Sequence, residues 1–554
     1  MTATHRWTLI LLLCSLGLAV LMQIPQILYG LQPASRGLLV HMNSDEHQYL
    51  ARVQEVLNGR PEQAAQPYTG DPDQPGMHLG LIEQIEGTLF RWTELRAIEV
   101  EQIMDSISPV LLFLLVFFFC INAGFSRRIS LLGSFLFTLP ILYGLSRPIH
   151  QRDSFAITLT TILLLTIALK HRRFLPAIIG GLLLGTLVGV YLWSWMFAWA
   201  YVGLLFIWEG ITWMRNRKSM SLSSSSFIIL IIAIFCGLLA AIPPVLHLFA
   251  LMRNPLYPDV AFRQGMVSSH LPESWILSTL FFGMGMGGLL AARTLPQLRG
   301  APRFVILFPL AVFIVISQQL IHGSVLAFTS HETFAIALGA ACSILLFFSH
   351  VPLRLSSLKI PAYRWLLLPL FCGGLVLAGT THDNRYVYEQ FTILPSRFSE
   401  QHLASALPIL DALPRSVILS DIATSAFIAD QTKHDILSSI YLESAMIPSE
   451  EIAQRWCMTV LPLDPSLRHI SSQNHLVWPD ANAAQHGGVT REREVKMVED
   501  ACAAMDQNPV KALKAFHVQY VLWDKERSPQ WDLRRLNVPL EKVEEDVGWA
   551  LYRM

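Results

Sequence analysis

The chain has 554 residues, too many for one ordinary globular domain, and its apolar residues reach 53% against 15% charged. A water-soluble fold of this size carries about 25% charged residues, so the deficit points to a membrane-embedded part. The formal net charge is +0, with no basic excess and no nucleic-acid motif, so nucleic acid is not an expected partner.

Membrane-crossing helices need about 20 mainly apolar residues. Runs of that kind lie at 8–30, 107–125, 129–145, 154–170, 174–193, 195–213, 226–250, 275–292, 304–321, 333–350 and 362–380. The first run continues past Cys14, and Leu13 is not the small residue that signal cleavage requires, so it reads as an uncleaved span. Basic residues mark every second short loop: Arg127 and Arg128; Lys170, Arg172 and Arg173; Arg215, Arg217 and Lys218; Arg293, Arg299 and Arg303; Arg354, Lys359 and Arg364. By the positive-inside rule these loops and the N-terminus are cytoplasmic. About eleven spans then put residues 381–554 outside. The expected fold is an α-helical polytopic membrane bundle of about eleven transmembrane helices (residues 1–380, with a long external loop at 31–106) followed by a soluble extracytoplasmic α/β domain (381–554). The expected location is a cell inner membrane.

In the tail, SVILSD, VQYVLWD and VGWALYRM read as strands, while HLASALPILDAL, ATSAFIADQTKH and PVKALKAFHV read as helices. No glycine-rich phosphate loop accompanies them, which argues against a nucleotide site. Five cysteines sit in apolar runs; Cys457 and Cys502 share the polar tail and can pair if that tail is outside the cytoplasm.

Four external segments hold candidate chemistry. NSDEHQYLAR carries Asp45, Glu46, His47 and Arg52 just after the first span, either as cation ligands and a base toward an acceptor or as the cap of a helix. TGDPDQPGMHLG holds Asp71, Asp73 and His78 in what reads foremost as a rigid turn. SRPIHQRDS carries Arg147, Arg152 and Asp153; two arginines suit an anionic phosphate, and an internal Arg–Asp pair is the other reading. FTSHETF places His331 and Glu332 at the mouth of a span, where an unpaired ionisable group is costly. Arg263 lies in a further external loop, and YLWSWMFAWAY is aromatic as at a membrane boundary. All these clusters share one expected face, which describes a surface active site better than a pore.

The order of these motifs resembles the GT-C membrane glycosyltransferases, and within them the oligosaccharyltransferase catalytic-subunit family. Asp45 with Tyr49 and Arg52, SRPIHQRDS with Asp153, and FTSHE with Glu332 are similar to that family's external-loop motifs and fall in the same order. The chain departs from it at Phe155, where a second acid is usual, and lacks the family's WWDYG acceptor motif. The resemblance covers about residues 30–340. It implies inverting transfer of a sugar or oligosaccharide from a polyprenyl-(pyro)phosphate donor to a protein, lipid or glycan acceptor at the outer membrane face. Implied roles are Asp45, Glu46 and Glu332 in catalysis; Arg147, Arg152, Arg263 and His331 in substrate binding; and Asp45, Asp153 and Glu332 as ligands of a divalent cation, Mg2+ or Mn2+. A transporter or flippase is the competing reading, and it would show broken helices near mid-bilayer.

Overall fold

A computed structural model of the protein describes residues 3–41, 46–61, 79–142, 150–216, 226–263, 267–272, 274–294, 303–325, 329–350, 392–470, 477 and 488–554. The chain divides into two compact units. One comprises Met1–Ile24, Ile103–His247 and Ser268–Phe391; the other comprises Pro25–Gln102, Leu248–Val267 and Thr392–Met554. The unit containing the tail thus also takes in the first long loop and a short segment near Arg263, rather than beginning at residue 381.

The first unit is helical. Nine of the eleven anticipated runs fall on apolar helices among the described residues, the run at 129–145 overlaps only the shorter helix Arg127–Thr138, and the run at 362–380 lies outside the described residues. Among the described residues, six helices are long and apolar enough to cross a membrane: His5–Gly30, Ala97–Asn122, Gln151–His171, Leu192–Arg215, Ser226–Met252 and Arg303–His322. Shorter apolar helices occupy Phe174–Gly189, Trp275–Leu290 and Thr333–Leu346. Their residues satisfy the membrane's main demand, that backbone N–H and C=O groups be paired within the segment. Leu, Ile and Phe side chains such as Ile207, Phe235 and Leu246 remain exposed, as lipid-facing positions would be. Helix Ser226–Met252 runs unbroken through Pro243 and Pro244. It therefore lacks the interruption that the transporter reading would place there.

Where these helices meet, small residues allow close backbone approach. A Cβ on Gly185 would stand 2.1 Å from the carbonyl oxygen of Gly237 and 2.7 Å from Ala240 Cβ; one on Gly181 would stand 2.2 Å from the carbonyl oxygen of Ala233. In lipid, where apolar side chains gain little by leaving their surroundings, such packing is the chief source of helix–helix attraction. Gly185→Val is expected to cost about 1–3 kcal/mol through overpacking, seen as a reduced yield of monodisperse protein in mild detergent.

The second unit is a mixed α/β structure. Its sheet contains β1 (Val417–Leu419), β2 (Asp435–Ile436), β3 (Val518–Asp524), β4 (Glu541–Glu545) and β5 (Trp549–Arg553). The five strands lie in the order β2-β1-β3-β5-β4. β1 runs parallel to β2 and β3, while β5 is antiparallel to β3 and β4. Continuous apolar runs explain β1 and β3. β4, EKVEE, is largely exposed, and its charged side chains blunt a sheet edge that would otherwise template pairing with other chains. Helix Glu46–Leu57 from the first loop packs on helix Ile422–Gln431 and adds Ala51 to the core of Leu403, Leu410, Ile418, Phe427, Trp456, Val521 and Trp549.

Helix Ile422–Gln431 begins at Asp421, whose carboxylate accepts from the backbone N–H groups of Ala423 (3.1 Å) and Thr424 (3.0 Å). These are donors that a helix start leaves orphaned. Asp421→Ala is expected to destabilise this unit by about 1 kcal/mol, read as a lowered melting temperature. Cys457 and Cys502 form a disulfide between helices Ser449–Val460 and Gly488–Gln507.

Candidate functional site

Two polar clusters stand out in the helical unit. The first lies at the start of helix His150–His171. Arg152, fully buried, donates from Nε to Asp153 (3.0 Å) and from NH1 to Asp105 (2.8 Å), and Ser108 Oγ donates to Asp153 (2.9 Å). Asp105 and Ser108 come from helix Ala97–Asn122, so this knot ties two spans together. Asp153 also sits in the first turn of its helix, where the dipole favours a negative charge. Of the two readings of SRPIHQRDS, the internal Arg–Asp pair is the one that forms. Arg152, expected to bind a substrate phosphate, has its guanidinium buried against carboxylates instead. Arg147 lies outside the described residues.

The second cluster precedes helix Thr333–His350. His331 stacks on Trp193 with ring centroids 4.2 Å apart and planes 10° apart, and its Nδ1 shares a 2.5 Å hydrogen bond with Tyr191 Oη. Glu332 is buried, and its Oε1 has no hydrogen-bond partner among the described residues. The buried Trp193 indole N–H is likewise without an acceptor among them. Aromatic rings, one orphaned acceptor and one orphaned donor therefore lie within a short stretch of two chain segments. Buried polar atoms are nearly always paired, so orphans mark places where a ligand's groups can complete the set.

The remaining expected residues that are described, Glu46 and Arg263, fall in the α/β unit. Asp45 lies outside the described residues, as do Asp71, Asp73 and His78. Glu46 is buried in the first turn of helix Glu46–Leu57, and Arg52 on that helix pairs with the buried Glu83 at 3.3 Å. Arg263, also expected to meet substrate, is fully buried; it donates to the carbonyls of Ile447 (2.7 Å) and Ala445 (2.5 Å) and pairs with Asp259 (3.1 Å). That makes it a strut between a short helix and the loop it packs on, because a guanidinium so committed has little left for a phosphate.

In this unit, a group that the sequence reading did not assemble converges. His41, His47 and Glu400 each offer a ligand atom, all within 4.8 Å of one another; among the described residues this metal-capable group includes neither Asp153 nor Glu332. His41 Nδ1 lies 3.4 Å and His47 Nε2 3.8 Å from Glu400, and the two rings lie 4.0 Å apart. Their other nitrogens turn to Asp430, at 3.2 Å for His41 Nε2 and in close contact for His47 Nδ1. Burial alone would lower the His41 pKa, but hydrogen bonds and charge from Asp430 and Glu400 outweigh it and push it well above the usual range. Burial would raise the Glu400 carboxyl; His41, with the charges of His47 and Arg527, outweighs it and holds it down at about 2. The only signal in the sequence was the pair of histidines six positions apart in the first loop, since their carboxylate partners lie more than 350 residues away.

Fold and sites together define a multi-pass helical membrane protein joined to a mixed α/β unit. A crystal structure of ArnT from Cupriavidus metallidurans bound to undecaprenyl phosphate is similar to the chain, with a TM-score of 0.43 and 12% identity, covering 100% of this chain and 98% of that chain. No family model and no curated protein matches the chain.

Proposed function

We propose that the protein is a membrane glycosyltransferase that moves a sugar from a polyprenyl-phosphate-linked donor to an acceptor hydroxyl or amide at the outer membrane face. The observation that carries this reading is the buried, half-orphaned Glu332 carboxylate beside the Trp193–His331–Tyr191 cluster. Aromatic faces and an indole N–H without an acceptor among the described residues suit the C–H faces and hydroxyls of a sugar ring. A carboxylate whose Oε1 has no hydrogen-bond partner among the described residues suits an acceptor proton or a bound cation. In the reaction, the bond from the anomeric carbon to the phosphate oxygen breaks as an acceptor oxygen or nitrogen bonds that carbon from the opposite side. The acceptor's proton passes to a carboxylate, and the polyprenyl phosphate leaves as an anion.

The ordered external motifs support the same reading. The Cys457–Cys502 disulfide supports an extracytoplasmic α/β unit, because such bonds persist outside the reducing cytoplasm. A Mg2+ or Mn2+ ion beside Glu332, neutralising the leaving phosphate, belongs to the same proposal.

The test uses purified protein in proteoliposomes with polyprenyl-phosphate-linked sugars and a panel of lipid, glycan and peptide acceptors. Transfer of the sugar to an acceptor, with inversion at the anomeric carbon, is the expected result. Movement of the lipid-linked substrate across the bilayer without any transfer would sink this reading and favour the transporter.

A further inference from the structure

The quartet His41, His47, Glu400 and Asp430 is not used by the chemistry proposed above. Asp430 is fully buried and sits in the last turn of helix Ile422–Gln431, where the helix dipole is negative. A carboxylate there is doubly unfavourable, by desolvation and by the dipole, unless positive charge is brought to it. Its Oδ2 meets both imidazoles, while its buried Oδ1 has no hydrogen-bond partner among the described residues. The sequence therefore invests in a strongly negative buried point and directs two histidines from a separate segment toward it.

We infer that this quartet is a zinc-type metal site. His41 Nδ1, His47 Nε2 and Glu400 are its ligands, and Asp430 is the outer carboxylate that orients both rings. Ligands about 2.0–2.1 Å from a tetrahedral ion stand roughly 3.4 Å apart. His41 Nδ1 lies 3.4 Å from one Glu400 oxygen and His47 Nε2 3.8 Å from the other, and one ligand atom from each of the three residues lies within 4.8 Å of the rest, so side-chain adjustment without backbone rearrangement closes the set on an ion. Each ring then coordinates through one nitrogen and donates its other N–H to Asp430. That is the arrangement by which an outer carboxylate fixes the tautomer and raises the basicity of a metal-bound imidazole. Two imidazoles and one carboxylate favour Zn2+ over Mg2+, which prefers oxygen donors. Three protein ligands leave a fourth position for water or a ligand oxygen. Metal entry displaces the protons the rings share with the carboxylates, so ion pairing and metal binding are alternative states of one cluster.

The test is metal content of the full-length protein in detergent, stripped with a chelator, reloaded with Zn2+ and desalted, with Co2+ as a spectroscopic probe. About one tightly held Zn2+ per chain is expected, along with Co2+ ligand-field bands of a four-coordinate nitrogen/oxygen site and a raised melting temperature. His41→Gln with His47→Gln is expected to lose the ion. Asp430→Asn is expected to keep it with affinity weakened about 10–100-fold. His402→Gln, which removes the neighbouring His402–Asp524 pair (2.8 Å) outside the quartet, is expected to bind as wild type. Should the double variant not fold, the wild-type Co2+ spectrum and melting shift alone decide. Wild-type protein that retains no Zn2+ after desalting and shows no Co2+ bands would overturn the site and leave the quartet a plain ion-pair cluster.

Discussion

Glu332→Gln is expected to lower sugar transfer by about two to four orders of magnitude while leaving the protein folded and membrane-inserted. The substitution keeps the shape of the side chain, and its buried position ahead of helix Thr333–His350 is unchanged. It removes the negative charge and the proton-accepting capacity, and positioned general bases typically contribute about 10²–10⁴-fold. The amide also places a donor or acceptor of the wrong polarity opposite one ligand group. His331→Ala is expected to be milder, chiefly raising the KM, because it deletes the ring stacked on Trp193 rather than the reacting carboxylate. The check is single-turnover transfer in proteoliposomes, with monodispersity on size exclusion as the control for folding. Full transfer by Glu332→Gln would remove that residue from the mechanism.

Removing the Cys457–Cys502 bond is expected to be the most damaging change to the α/β unit. The bridge closes a loop with a sequence separation of 45 residues, for which the chain-entropy model gives about 4 kcal/mol. Total domain stabilities run to only about 5–15 kcal/mol. Both cysteines are buried, at 1% and 4% exposure, so a paired Cys→Ala change also leaves small voids in the contact between their helices. A drop in the unit's melting temperature of roughly 10 °C, in the double variant or under strong reductant, is the expected result. An unchanged melt under reductant, with both thiols shown to be free by alkylation, would mean that helix packing alone holds the unit.

The helical unit was largely legible in the sequence, because a bilayer filters sequences by the simplest criterion available. Every backbone group must pair within its own segment and nearly every side chain must be apolar, so long apolar runs and helices coincide. The strands with continuous apolar character, Val417–Leu419, Val518–Asp524 and Trp549–Arg553, were legible for a similar reason. The edge strand Glu541–Glu545 was not: its residues are polar on both faces, and only pairing with Trp549–Arg553 makes it a strand. The helices that carry the disulfide were also missed, since their amphipathic patterns are interrupted by polar stretches.

The sites divide along the same line. A sequence shows which charged residues sit at the ends of spans, and so it named Arg152, Asp153, His331 and Glu332. Only the tertiary structure decided that Arg152 and Asp153 consume one another and that Arg263 is a buried strut. The same structure left Glu332 with one oxygen unpaired among the described residues. His41 and His47 meeting Glu400 and Asp430 is a long-range event, produced when the first loop packs against a helix formed hundreds of residues later. Periodicity is a local property set by helix and strand geometry, whereas a site is set by which faces share a core, and no local pattern records that.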